Sequence, residues 1–203
     1  MVHSDHRVLS IVLFDGFELL DVFGPAELCG VVPGFEVRYV AVDAGMVTSS
    51  HGCRVVADQP LAHLAKPDVL MVPGGRGTRA LVDDQDFVEL LADRASRASI
   101  VSSVCTGSAV LAAAGLLDGY RATSNKRAFE WATKFGANVH WEHAARWVHD
   151  RDRWTSSGVS AGMDMAVALI AHLFGEDAAT EAAHFVEYEP HRDPSWDPFA
   201  VTS

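Results

Sequence analysis

Residues 100–109 read Ile-Val-Ser-Ser-Val-Cys-Thr-Gly-Ser-Ala, and this stretch constrains the fold more than any other. Small and β-branched residues lead into one cysteine, Cys105. Val110, Leu111, Ala112, Ala113 and Ala114 then follow with helical spacing. The pattern predicts strand, sharp turn and helix, with Cys105 at the turn. Such an elbow presents a nucleophile at the carboxyl edge of an α/β sheet. A helix N-terminus also favours the thiolate, the nucleophilic form of cysteine. The local pattern leaves a second reading open, in which Cys105 is a small buried hydrophobe.

The rest of the chain alternates in the same way. Residues 7–14 form a nearly continuous apolar run, as in a strand buried on both faces of a parallel sheet. Residues 18–29 have helical spacing, with a break or kink expected at Gly24-Pro25. Strands are expected at 35–42, 67–73 and 121–124, a hairpin over 46–57, and strand-like chain over 139–156 with a turn at 150–153. Helices are expected at 86–97, 126–135, 161–174 and 176–186, before a packed extended arm over 189–203. Strands alternating with helices predict one α/β domain over 1–203, a doubly wound parallel sheet with helices on both faces. Sites in such folds lie at the carboxyl ends of strands. Three of those ends carry chemistry-bearing residues: the turn after Phe14, Gly74-Gly75-Arg76-Gly77 after Pro73, and Cys105. The glycine loop lacks the Gly-Lys-Ser/Thr of a phosphate loop, so it does not read as a nucleotide site.

Charge and composition exclude several classes. A net charge of −11 argues against a nucleic-acid partner. No run of about 20 uncharged apolar residues is present, so no membrane partner is expected. Residues 1–7 do not resemble a signal peptide, and three cysteines without a Cys-x-x-Cys pair suit free thiols in a cytoplasmic setting. His140, Glu142, His143 and His149 lack metal-site spacing, so no metal is expected. Trp131, Trp141, Trp147 and Trp154 read as core or interface.

Three segments together resemble the DJ-1/PfpI (ThiJ) superfamily: Leu20-Asp21-Val22-Phe23-Gly24-Pro25, Val72-Pro73-Gly74-Gly75 and Val104-Cys105-Thr106-Gly107. The downstream segment 158–164 fits the same pattern, so the resemblance runs along nearly the whole chain in order. Within the superfamily, Asp21 before Gly-Pro and the Ser-Val-Cys-Thr-Gly-Ser stretch at 103–108 are most similar to the isonitrile hydratases. Thr106 stands where the protease-like branch has histidine, so a Cys–His hydrolytic pair is absent. Asn125 and Lys126 stand where hydratases resemble His-Trp, which alters the expected pocket wall.

The resemblance implies a flavodoxin-like fold with Cys105 as nucleophile on its elbow. It also implies Asp21 as general acid and base, and Thr106 hydrogen-bonding Asp21 or the intermediate. N–H groups of Gly75 and Thr106 would receive developing negative charge. Gly74, Gly75, Asn125 and Lys126 would contact substrate, and Glu18 would remain at the surface. The implied activity is that of a cofactor-independent lyase, adding water to a small-molecule isocyanide to give an N-formamide. The implied assembly is a homodimer. Read without the resemblance, Asp21 also fits a solvated or capping carboxylate, Gly74-Gly75 an ordinary turn, and Asn125-Lys126 a helix start. Two other activities stay open on the same elbow. One is a redox-sensing or ligand-binding protein, since an accessible low-pKa thiolate oxidises readily. The other is glyoxalase- or deglycase-like chemistry on α-oxoaldehydes.

Overall fold

The computed structural model describes residues 6–200, so most of the polar N-terminal segment and the last residues of the expected arm lie outside the described residues. In chain order the first half comprises β1 (Arg7–Val12), α1 (Leu19–Gly30), β2 (Phe35–Ala41), β3 (Gly45–Thr48), β4 (Arg54–Ala57), β5 (Gln59–Pro60), β6 (Val69–Val72), α2 (Thr78–Leu81), α3 (Gln85–Ala95), β7 (Ile100–Ser103) and α4 (Gly107–Ala113). The second half adds β8 (Arg121–Ala122), α5 (Phe129–Ala132), β9 (His140–Trp141), β10 (Trp147–Asp150), β11 (Arg153–Ser156), α6 (Ala161–Phe174) and α7 (Glu176–Phe185).

Seven strands form one sheet in the order β10-β11-β7-β6-β1-β2-β5. Every neighbouring pair is parallel except β10 and β11. β6 and β7 are buried at every residue, as their continuous apolar and small-residue runs require for strands covered on both faces. Helices α1, α6 and α7 pack with one another, and so do α2, α3 and α4; the two groups flank the sheet. β3 and β4 make a separate antiparallel hairpin, and β8 and β9 a short parallel pair. Among the described residues, no helix is long and apolar enough to cross a membrane.

Two local expectations are corrected. Helix α1 runs unbroken through Gly24-Pro25. Proline removes one hydrogen bond there, but close packing holds the helix on α6: a Cβ on Gly24 would lie 2.6 Å from Met163 Cγ. The helix expected over 126–135 is instead a 3-10 turn, Lys126–Ala128, followed by the single turn of α5. The chain bends at Ala128, whose φ is −115°.

The arm after α7 is tied down by a buried cation. Arg146 donates its backbone N–H to Pro194 O at 2.8 Å. Its guanidinium lies 2.6 Å from Asp164 and 3.6 Å from Asp197, all three side chains being buried. The histidines weighed as ligands pack on rings: His149 stacks on Trp154 at 3.9 Å, and His143 meets Phe129 edge-on at 4.7 Å.

Gly107 fixes how closely α4 approaches the sheet, since a Cβ there would lie 2.1 Å from Val72 O and 2.8 Å from Pro73 O. Gly107→Ala is therefore expected to lose about 2 kcal/mol or more in a denaturant titration. Gly30→Ala, whose Cβ would meet nothing nearer than Val37 at 3.9 Å, is expected to stay within about 1 kcal/mol of wild type.

Candidate active site

β7, β6 and β1 are neighbours in the sheet and parallel, so their carboxyl ends lie side by side. The chain leaves those ends through Cys105, the Gly74-Gly75 loop and the turn before α1. The two loops are stitched together by Glu18 N–H donating to Gly74 O at 2.8 Å and Gly77 N–H donating to Gly16 O at 3.1 Å. The hairpin loop after β3 closes the rim: Ser50 N–H donates to Phe17 O at 2.8 Å, and Ser50 Oγ to Gly16 O at 2.6 Å.

Cys105 has φ +57°, a left-handed conformation that costs a non-glycine residue of order 1–3 kcal/mol. Its neighbours hold it there. Its N–H is shared between Ser156 O at 3.2 Å and Ser157 O at 3.1 Å. Its carbonyl accepts from Ser108 Oγ and Ser124 Oγ, each at 3.1 Å. Gly162 lets α6 close over the turn, because a Cβ there would lie 2.7 Å from Val104 Cγ1.

Asp21, in the first turn of α1, is fully buried. Its Oδ2 accepts Gly74 N–H at 2.8 Å, while Oδ1 has no conventional hydrogen-bond partner among the described residues. A Cβ on Gly74 would lie 2.7 Å from Asp21 Oδ2, from Cys105 Cβ and from Thr106 N alike. The carboxyl, the thiol-bearing carbon and the first N–H after the elbow thus converge on one point, which only glycine leaves open.

Burial dominates the electrostatics of this pair. It raises the Asp21 carboxyl to about 7; the Gly74 N–H partly opposes this, and the charge of Glu18 reinforces it. Burial also pushes the Cys105 thiol up, and the Asp21 carboxylate pushes it further. The N–H and hydroxyl of Thr106 and the Asn125 side chain favour the thiolate without overcoming that penalty. The net lowering expected from the helix N-terminus is therefore corrected: desolvation outweighs the donors of α4. The Cys105 side chain favours the Asp21 carboxylate by hydrogen bonding, while that carboxylate and burial hold the thiol up, so one proton stays with the pair and the thiolate is accessible when Asp21 carries it.

Thr106 Oγ1 accepts from Gly75 N–H and from Thr78 Oγ1, both at 3.1 Å, and it lies toward the sulfur rather than Asp21. Gly75 N–H is thus already engaged, and the Thr106 N–H is the backbone donor directed at the sulfur. A cavity of about 350 Å³ opens over Cys105. Thr106, Gly75 and Asn125 line it; Gly74, expected to contact substrate, is buried and does not. Lys126 does not line it: Nζ donates to Thr123 Oγ1 at 2.8 Å and Ala145 O at 2.6 Å, facing a neighbouring cavity of about 250 Å³. Burial lowers that ammonium to about 8. Cys29 is buried and its thiol pushed up by desolvation, and Cys53 is exposed on the hairpin.

Five lining side chains are not expected from the sequence: Glu18, Arg76, Arg79, Arg127 and Val159. Glu18, expected at the surface, faces the cavity and lies 3.6 Å from His51 Nδ1. The guanidinium carbon of Arg79 lies over the Trp131 ring, 3.3 Å from its centroid. The position of Arg76 and Arg79 just after the glycine loop was the available clue.

Asp21 titrates in the ordinary carboxylate range when unfolded and at about 7 when folded. Between those values the folded protein holds a proton that the unfolded chain has lost. Stability therefore falls as pH rises through this window, and the full cost is present above about 7. Asp21→Asn removes the charge and keeps an acceptor for Gly74 N–H. Denaturant titrations are expected to find it ~2–4 kcal/mol more stable than wild type near pH 8, a gap that closes toward pH ~4. A variant less stable at every pH would contradict this.

Comparison with known proteins places this geometry. The family model described as DJ-1/PfpI family matches residues 6–172. An isonitrile hydratase of Pseudomonas putida is 35% identical over 182 residues, spanning 90% of this chain and 78% of that protein. A deglycase of Pyrococcus abyssi is 32% identical over 120 residues, covering 58% of this chain and 71% of its own length. The crystal structure of a ThiJ/PfpI family protein from Pseudomonas syringae superposes with a TM-score of 0.84 at 35% identity, covering 91% of this chain and 76% of that one. The elbow cysteine, the Asp-x-x-Gly-Pro helix start and the Pro-Gly-Gly loop meet on one sheet edge of this chain, and the chain, matched over most of its length, belongs to the DJ-1/PfpI family.

Proposed function

We propose that this protein is a cysteine-dependent hydratase that converts an isocyanide into an N-formamide, with Cys105 as nucleophile and Asp21 as the proton carrier. The observation that carries the reading is the buried Asp21 carboxyl, raised to about 7 beside Cys105. A carboxyl there can give up and retake a proton near neutral pH. Similarity to the Pseudomonas putida isonitrile hydratase extends over 90% of the chain, against 58% for the deglycase, and so favours hydration over α-oxoaldehyde chemistry.

The proton shared by the pair sits on Asp21 in the reacting tautomer. The Cys105 thiolate attacks the terminal carbon of R–N≡C, forming a C–S bond, and Asp21 delivers its proton to that carbon. The result is a thioimidate, R–N=CH–S–Cys. Asp21, now a carboxylate, takes a proton from water as the oxygen adds to the same carbon and passes it to the nitrogen, leaving the last proton on the added hydroxyl for Asp21 to recover. The C–S bond then breaks, releasing R–NH–CHO and restoring one proton to the pair. The Thr106 N–H and Asn125 stabilise the sulfur anion at the start and again as it leaves. No metal or redox partner enters the balance. As the family resemblance implies, we place the working unit in a homodimer, for which exposed Leu20 and Phe185 supply apolar surface.

Formamide production from a small isocyanide tests the reading. Cys105→Ala is expected to abolish it, and Asp21→Ala to reduce it by at least ~10²-fold, with the double variant no worse than Cys105→Ala. Thr106→Val is expected to lose less, since both reacting groups remain. Absence of Cys105-dependent formamide would end this proposal. The pH profile gives a second check. As pH drops through about 7 a second proton occupies the pair, the thiolate tautomer disappears, and kcat/KM is expected to fall. A flat profile across that region would remove Asp21 from the proton transfers.

A further inference from the structure

The charges lining the cavity over Cys105 do not follow the pattern of the rest of the molecule. The chain is acidic, with a net charge of −11. Its arginines outside this cavity, Arg54 excepted, each sit within ion-pair distance of a carboxylate. Arg76, Arg79 and Arg127 all line the cavity, and among the described residues none of them is in such a pair. They come from two separate segments, the loop and helix at 76–79 and the turn Lys126–Ala128, and so are gathered by the fold rather than by sequence proximity. Arg79 is held in place by stacking on Trp131, with its centre 3.3 Å from the ring centroid. A stacked guanidinium loses little freedom when it binds an anion, which suits it to a fixed recognition role.

We infer that the cavity selects a substrate bearing a carboxylate, which the guanidinium groups of Arg76, Arg79 and Arg127 receive while the reacting carbon lies at Cys105. Three positive charges face Glu18 and the one negative charge of the Asp21–Cys105 pair. The surplus is one charge, which a carboxylate balances and a phosphate dianion exceeds. Guanidinium groups present paired N–H donors that match a carboxylate's two oxygens. The inference deepens the hydratase reading and rests on it for the reacting group. The substrate would be an isocyano carboxylate, converted by addition of water to the N-formyl amino acid or a homologue with its carboxylate unchanged. Reactions that supply such a substrate would install an isocyanide on an amino acid nitrogen.

The anion preference can be read without any turnover. Alkylation of Cys105 by iodoacetate and by iodoacetamide, followed by peptide mapping, compares a carboxylate with its neutral amide at the same thiol. The ratio of the two rates, divided by that for a neutral free thiol such as 2-mercaptoethanol, is expected to be about tenfold or more above unity at low salt. It is expected to fall toward unity in the Arg79→Gln/Arg127→Gln double variant and on adding salt. Arg38→Gln, on β2, is expected to leave it unchanged. A ratio near unity in wild type, or one that the double variant does not move, overturns the inference. In a second arm, hydration of isocyanoacetate is compared with that of its methyl ester. The anion is expected to be preferred about tenfold in kcat/KM, mainly through KM, and equal values overturn the substrate class. The two readings fail separately. An arginine-dependent alkylation ratio without any isocyanide turnover removes the hydratase and leaves the anion site. Turnover of the ester with an alkylation ratio near unity does the reverse.

Discussion

Cys105 sits at φ +57°, and the structure around it is organised to keep it there. Its N–H is shared by two carbonyls from the end of β11, and its own carbonyl is capped by two serine hydroxyls. Two glycines remove the side chains that would block this arrangement, Gly107 against β6 and Gly162 against Val104. The strain of a left-handed cysteine is small beside the combined loss of these contacts, so the turn stays fixed. A fixed turn aims the sulfur out of the sheet edge, beside the Asp21 carboxyl that α1 brings from the neighbouring strand end.

The second consequence is electrostatic. Burying a carboxyl and a thiol side by side penalises any state with two charges, so one proton stays with the pair. A counter-charge would relieve the penalty, and among the described residues none pairs with Asp21: Oδ2 accepts the Gly74 N–H, and Oδ1 has no conventional protein partner. An unsatisfied buried acid is unfavourable for stability and favourable for proton transfer. The positive charges of Arg76, Arg79 and Arg127 stand on the lining of the cavity over Cys105.

The parts of this arrangement differ in how far the sequence disclosed them. The continuous apolar runs of β1 and β6 and the strand-to-helix switch at Cys105 disclosed the parallel sheet and the elbow, because period and burial are written into local composition. Helix α6 fell at residues 161–174 as its apolar spacing predicted. Asp21 was legible only through the family motif, since nothing local separates a buried acid from a helix cap. Gly24-Pro25 misled because packing against Met163 overrides a local preference. Lys126 misled because a side chain's direction depends on a 3-10 turn that short-range pattern does not specify, and its ammonium turned to Thr123 and Ala145. Arg127, one residue on, reached the cavity instead. Glu18 and the arginines were hidden for the same reason: a charged residue after a loop reads as surface until the fold brings several to one place.

Asp21 and Cys105 share one proton because burial penalises both charged forms and the Asp21 carboxylate raises the thiol further. Titration of the thiolate's ultraviolet absorbance tests it most directly, with the same chain carrying Cys105→Ser subtracted as background. With Asp21 replaced by Asn, the carboxylate no longer opposes the thiolate, so Cys105 should ionise at distinctly lower pH than in the wild-type protein. Ionisation at the same pH in both proteins would contradict the shared proton and with it the pairing on which the chemistry is built.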